Sequence, residues 1–366
     1  MTATPSSRLR IAIATIEFPP DPFSAGIGSY TKSVAELLAA RGHTVHVVAR
    51  GLDEDEHSVE KGMENGVNVH RITPGRPVLP NSLDAGAVAG LLGRALPSEL
   101  RYRRKLVGTL SKLTADEGID LIEVADHMAE AVAFPSRRFP RLPFVVRLHT
   151  PLALTERIDP NIPELARLGM RNLERRLLRK ATHLSAPSKE AAEAILDELG
   201  LALPVTVYPN PPTLPPANSE PASSEDPHTV LFIGRINRIK GPHLLVEAIP
   251  GILAAFPRTR FLFVGSDNVS AGDYPSGSAY LRSLLPERFH DRLEFTGHVP
   301  HHEVERYYRQ ASLCVLPSLF ESFGYTCLEA MGLGKAIVGS TAGGMAEMLD
   351  HGQAGLLFTP PDVAEL

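Results

Sequence analysis

Two carboxylates, Glu321 and Glu329, flank a stretch of seven residues, Ser322-Phe323-Gly324-Tyr325-Thr326-Cys327-Leu328, that reads as the start of a helix. A helix beginning near Phe323 leaves the N–H groups of Gly324, Tyr325 and Thr326 without intrahelical acceptors, and such a terminus favours phosphate. Glu321, in the preceding loop, is placed to accept hydrogen bonds from sugar hydroxyls. Glu329, further into the helix, is placed to accept them from a ribose diol. The segment therefore suits a molecule with hydroxyls at both ends and phosphates in the middle, and a nucleotide-sugar is such a molecule. An N-terminal acid is also an ordinary partner of a helix dipole, but that explains Glu321 alone and not Glu329.

A second segment carries the opposite charge. In Gly234-Arg235-Ile236-Asn237-Arg238-Ile239-Lys240-Gly241, Arg235 and Lys240 flank a turn that follows an apolar β-like run. Two cations there can hold a diphosphate and neutralise the charge that grows on it as a bond breaks; a solvated basic turn is the alternative. Gly26-Ile27-Gly28 reads as a loop before a helix, where glycine lets backbone approach an anionic or bulky ligand. It is not a nicotinamide fingerprint, because threonine stands at position 31, and a plain tight turn also explains it. In Arg147-Leu148-His149-Thr150-Pro151 a strand end delivers His149, which suits a hydrogen bond to a sugar or an acceptor, against the alternative of a structural histidine. No His/Asp cluster with metal-ligand spacing accompanies these segments, and no cofactor is expected.

The elements that must position these residues follow the alternation of a parallel sheet. Strands are expected at Arg10–Ile16, His43–Arg50, Val67–Ile72, Leu121–Val124, Phe144–His149 and Val205–Tyr208, with a helix at Tyr30–Arg41. Pro, Ser, Glu and Asn then dominate 209–227, a composition that cannot hold a core. The pattern restarts with strands at Thr229–Ile233, Arg260–Val264, Leu293–Phe295, Leu313–Leu316 and Ala336–Val338, and a helix over Gly241–Phe256. The expectation is an α/β chain of two doubly wound, Rossmann-like domains, 1–210 and 229–366, joined by a Pro/Ser-rich linker at 211–228. In such sheets ligands bind at the C-terminal ends of strands, so an interdomain cleft between the two is expected.

Composition narrows the function classes. With 366 residues and 43% hydrophobic residues, each half can bury a core. A net charge of −5 argues against a nucleic-acid binder. The two cysteines, Cys314 and Cys327, sit in apolar contexts and read as reduced, packed thiols. No apolar run approaches the ~18 residues of a membrane span and the start is polar, so a cytoplasmic protein is expected. Two basic segments, Arg101 to Lys105 and Leu165 to Lys180, raise a peripheral contact with an anionic membrane or lipid-linked acceptor, with a solvated helix face as the alternative.

The chain resembles the retaining glycosyltransferases of family 4, with the GT-B fold of two facing domains. The matching pieces come in order: Phe18-Pro19-Pro20, Gly26-Ile27-Gly28, Gly234-Arg235 with Lys240-Gly241, Gly297-His298-Val299, Glu321 to Glu329, and Gly343-Gly344 with Glu347. The resemblance implies that Arg235 and Lys240 bind the donor diphosphate, that Glu329 holds the ribose, and that Glu321 contacts the transferred sugar with the backbone at Phe323 and Gly324. It implies that the backbone near Val299 meets the base, that Gly26 and Gly28 come near the diphosphate, and that His149 lies beside the sugar. It further implies an acceptor-binding first domain, metal-independent transfer to a hydroxyl of a glycan, lipid-linked or small-molecule acceptor, and helices beyond Pro360-Pro361-Asp362. Other functions considered are a nucleotide-sugar epimerase and a non-catalytic nucleotide-sugar-binding protein.

Overall fold

The computed structural model describes residues 8–20, 26–51, 59–73, 96–212, 226–267 and 274–366. Most of the expected linker lies outside them. The chain divides into two compact units, Met1–Pro187 with Ala192–Pro211, and Pro212–Leu366 with Ser188–Ala191.

The strands of the first unit, among the described residues, are β1 (Arg10–Thr15), β2 (Thr44–Arg50), β3 (Val59–Glu64), β4 (Val67–Ile72), β5 (Leu121–Ala125), β6 (Phe144–Arg147), β7 (His183–Ala186) and β8 (Thr206–Val207). They form one sheet in the order β3-β4-β2-β1-β5-β6-β7-β8. Every pair is parallel except β3 with β4. That antiparallel edge is absent from the sequence expectation, because β3 is solvent-exposed and has no apolar alternation. Its signal was the turn: Asn65 and Gly66 both have positive φ, 49° and 82°, as a two-residue hairpin requires. The helices are α1 (Gly26–Ala40), α2 (Leu96–Glu117), α3 (Leu152–Ile158), α4 (Glu164–Lys180) and α5 (Lys189–Leu199). Valines and isoleucines of β1, β2 and β4 bury one face of the sheet against Ala35 of α1, the near-continuous apolar pattern of a strand covered on both faces.

The second unit has β9 (Asp226–Ile233), β10 (Arg260–Val264), β11 (Leu293–Phe295), β12 (Ala311–Leu316), β13 (Ala336–Ser340) and β14 (Leu356–Phe358). They are all parallel, in the order β11-β10-β9-β12-β13-β14. Its helices are α6 (Pro242–Ala255), α7 (Gly277–Ser283), α8 (Val304–Gln310), α9 (Tyr325–Gly332) and α10 (Met345–Met348). Val230, Phe232, Phe261 and Phe263 face α6 through Leu245 and Ile249. Leu231, Ile233, Leu262 and Val264 face the other way, toward Tyr308 of α8 and Cys327 and Ala330 of α9. Both cysteines are buried free thiols, and burial pushes each up to about 12.

Apart from the β3–β4 hairpin at its edge, the first sheet reverses its strand order between β1 and β5, and the second reverses between β9 and β12. At such a switch point the loops leaving the strands diverge to opposite faces and open a crevice at the C-terminal edge.

Candidate functional site

In the second unit the switch point is built from the loops after β9 and β12. Gly234 donates its N–H to Val264 O (2.9 Å) and Ile236 donates to Ser266 O (3.0 Å), pinning the first loop across the end of β10. Asn237 then caps the single 3-10 turn Arg238–Lys240 by accepting the Lys240 N–H. Gly241 has φ 68°, and a Cβ there would lie 1.8 Å from Pro317 O, so only glycine lets the two loops approach this closely. Leu319 N–H closes the seam on Ile239 O at 2.8 Å. The seam brings the Lys240 ammonium onto Oε2 of Glu321 as an ion pair, with the side chains 27% and 13% exposed. Arg235, on the same loop, is exposed, and its carbonyl accepts the Asn237 N–H at 3.0 Å.

Glu321 is fixed from behind as well. Its N–H donates to Ala342 O (3.1 Å) and its carbonyl accepts the Gly344 N–H (2.8 Å). Between them Gly343 has φ 89°, and a Cβ there would lie 2.2 Å from Glu321 O. The following helix begins at Tyr325, two residues later than the sequence suggests. Gly324 is its N-cap with φ 91°, a left-handed conformation that cannot continue an α-helix. The carbonyl of Gly324 accepts from Cys327 (3.0 Å) and Leu328 (3.1 Å). The N–H groups of Tyr325 and Thr326, in the first turn of α9, therefore have no acceptor within the helix. Phe323 is buried in the loop and meets the Tyr325 ring edge-on, centroids 5.3 Å apart.

Glu329 lies one turn deeper, its side chain 12% exposed. Its Oε2 accepts from the buried Tyr308 hydroxyl at 2.9 Å, and its Oε1 stands 3.2 Å from Nε2 of His301. Sequence reasoning missed both partners, because they lie 21 and 28 residues away on α8 and the turn before it. Val299 lies half-buried after β11, packed against the core beneath α8 and α9. Arg235, Lys240, Val299, Glu321, Phe323, Gly324, Tyr325, Thr326 and Glu329 all lie in the second unit, where Lys240 meets Glu321 and Phe323 meets Tyr325.

Gly26, Gly28 and His149 belong to the first unit. The two glycines lie inside the first turn of α1 rather than in a loop before it. A Cβ at Gly26 would meet nothing within 4 Å, so packing does not demand that glycine. Gly28 N–H donates to Glu17 Oε2 (3.3 Å), which gives one orphan donor of the helix start a carboxylate of the chain itself. His149 follows β6 by two residues and is buried, its ring edge-on to Tyr30 at 5.0 Å. Burial, with the nearby Arg147 and His127, pushes its imidazole down to about 3, so it is neutral at pH 7.

Asp126 and Glu174 are among the buried carboxyls that escaped the sequence reading. Asp126 Oδ1 accepts the His149 N–H (2.9 Å), and burial pushes this carboxyl up to about 7. Glu174 of α4 accepts the N–H groups of Leu152 (2.6 Å), Ala153 (3.2 Å) and Met128 (3.2 Å), which ties the start of α3 to the turn after β5. The signal for Asp126 was its place at a strand end beside a histidine. The signal for Glu174 was its helical spacing from Leu177 and Leu178 on the buried face of α4.

Arg167, Arg171, Arg175 and Lys180 of α4 have partners within the first unit, while Arg176 and Arg179 are exposed. Arg167 pairs with Glu164 and Glu198, while Arg171 and Arg175 donate to the carbonyls of Glu198 (2.8 Å) and Leu199 (2.7 Å) at the end of α5. Lys180 donates to the carbonyls of Val132 and Phe134. Arg103 of α2 likewise bonds Glu99 and the carbonyls of Met128 and Ala129. These five side chains close helix ends and turns, so this part of the basic pattern is accounted for without a membrane contact. No helix among the described residues is long and apolar enough to cross a membrane.

Comparison with known proteins gives two family matches that together span most of the chain. Residues 25–211 match the glycosyl transferase 4-like domain, and residues 227–366 match the glycosyl transferases group 1. The chain is 28% identical over 375 residues to a glycogen synthase of Mycobacterium tuberculosis, covering 98% of this chain and 84% of that protein. Among solved structures, its fold is similar to the sucrose-phosphate synthase of Thermosynechococcus elongatus, with a TM-score of 0.72, 21% identity, and coverage of 98% and 88% of the two chains. It is also similar to Anabaena HepE in complex with UDP and glucose, with a TM-score of 0.64, 20% identity, and coverage of 98% and 88%.

Proposed function

The chain belongs to the group 1, family 4 glycosyltransferases of GT-B fold, and from that premise we propose that it moves a sugar from a nucleotide-diphosphate sugar to a hydroxyl acceptor with retention at the anomeric carbon and without a metal. The observation that carries this reading is the Lys240–Glu321 ion pair at the switch point of the second sheet. A cation for phosphate and a carboxylate for sugar hydroxyls stand side by side where such sheets bind ligands. The UDP and glucose in the similar Anabaena protein support the donor class.

In this reading Arg235, Lys240 and the first turn of α9 receive the diphosphate. An ammonium has three donors, so Lys240 keeps its bond to Glu321 while it takes phosphate oxygens. As the bond from the sugar to the diphosphate stretches, negative charge grows on the leaving group. Two cations and helix N–H dipoles already in place stabilise that charge without reorganising. Glu321 accepts from hydroxyls of the transferred sugar, beside the Phe323–Gly324 backbone. Glu329 accepts from the ribose, and the backbone at Val299 meets the base. His149, neutral and buried in the first unit, offers a hydrogen bond to a hydroxyl of the sugar or the acceptor.

Incubation with a panel of nucleotide sugars, with and without a chelator, tests the reading. It expects release of nucleoside diphosphate from one donor at the same rate in both conditions. Isomerised sugar without release of nucleotide, or binding without turnover, would overturn it.

A further inference from the structure

Glu329 is not held by its own helix. The hydroxyl of Tyr308, on α8, lies 2.9 Å from Glu329 Oε2 and 3.1 Å from the carbonyl of Thr326. Tyr308 is 1% exposed, packed among Leu231, Leu262, Cys314 and Cys327, so its ring cannot swing away without opening the core. The hydroxyl has one proton to give, and the two acceptors share it in a three-centre bond. Burial and the adjacent Glu329 raise its pKa well above the usual tyrosine value, so it stays a donor across the working pH range. The other carboxylate oxygen is treated differently. Oε1 faces Nε2 of His301, whose side chain is 69% exposed and can move aside.

From this asymmetry we propose that Tyr308 is a positioning residue that sets the ribose specificity of the donor site. It clamps one oxygen of Glu329 to the first turn of α9 and leaves the other to be transferred from His301 to a ribose hydroxyl. The inference rests on the donor reading above. One rigid hydroxyl registers two parts of the site, the turn proposed for the diphosphate and the carboxylate proposed for the ribose. Without it the carboxylate is free to rotate about its χ3 torsion and no longer presents a fixed acceptor to a diol.

The test is calorimetric titration of the full chain with UDP, ADP and GDP and with their 2′-deoxy analogues. A hydrogen bond to a charged group is worth about ten-fold or more in affinity, so the wild type is expected to prefer the ribose form of its nucleotide by that factor. Tyr308→Phe is expected to reduce the preference to about two-fold, while kcat at saturating donor stays within about three-fold of wild type. His301→Ala is expected to keep the preference. Glu329→Ala separates the two readings. If it abolishes the preference and Tyr308→Phe does not, the positioning role falls and the ribose role of Glu329 stands. If neither changes it, or if no ribonucleoside diphosphate binds, the donor reading falls and this inference with it.

Discussion

The ammonium of Lys240 and the carboxylate of Glu321 are joined across the loops that leave β9 and β12, adjacent strands on either side of the reversal in the strand order of the second sheet. Eighty-one residues separate the two in sequence. What unites them is Gly241, which lets the backbone of one loop rest on Pro317 of the other.

Replacing either partner should cost activity more than stability. Lys240→Ala and Glu321→Ala are each expected to lower kcat/KM by about 10²–10³-fold, the usual loss when a group that stabilises transition-state charge is removed. The double variant is expected to lose less than the product of the two, because the partners act on one another. Circular dichroism should remain that of wild type. Near-normal rates in both single variants would refute the site assignment.

Gly343 should be as critical as a charged residue. Any side chain there meets Glu321 O at 2.2 Å and must adopt φ 89°. Gly343→Ala is expected to destabilise the unit by about 1–3 kcal/mol and to displace the Glu321 loop. Thermal melting and donor affinity should fall together. An unchanged melting temperature would contradict the close approach.

The first unit should weaken in acid through a buried histidine pair. His46 Nδ1 and His70 Nε2 lie 3.2 Å apart between β2 and β4, with Lys61 and Glu117 nearby. Burial and then His46 push His70 down to about 4, and burial lowers His46 as well. A histidine with a depressed folded pKa binds its proton more readily in the unfolded chain. Its contribution is intact above about pH 6.5 and is lost as pH falls toward 4. For His70 the loss by pH 5 is on the order of 2 kcal/mol. Urea midpoints at pH 7.5 and pH 5 should therefore differ in wild type and differ less in His70→Asn. Equal differences in both would assign the acid sensitivity elsewhere.

Arg171 and Arg175 should behave as structural residues. Each donates to a terminal carbonyl of α5, so alanine at either is expected to cost about 1 kcal/mol. Sedimentation with anionic vesicles should show no salt-sensitive binding, in the variants or the wild type. Salt-sensitive binding that disappears in the variants would restore the membrane reading.

Much of this was legible in the sequence because the relevant signals are local. Apolar runs mark buried strands, so β4, β10 and β11 fall where the pattern places them. Gly234, Gly241 and the spaced glutamates mark loops and a helix start. Partnership across elements was not legible. Nothing in the order of residues says that Tyr308 reaches Glu329, or that Arg171 and Arg175 of α4 reach the end of α5, since both depend on which helices the sheet sets side by side. The start of α9 moved because Gly324 takes φ 91°, a left-handed conformation that a right-handed helix cannot include. The start of α1 moved because Glu17 supplies a partner for Gly28, which stabilises a turn that two glycines alone would disfavour.

The stereochemistry of transfer is the decisive measurement for the proposed reaction. With the donor found in the panel and a hydroxyl acceptor, proton NMR of the first product formed reads its anomeric coupling before any mutarotation. The account predicts the anomeric configuration of the donor, unchanged in the presence of chelator and absent from the product of Lys240→Ala over the same time. A product of inverted configuration, or full turnover by Lys240→Ala, would contradict it.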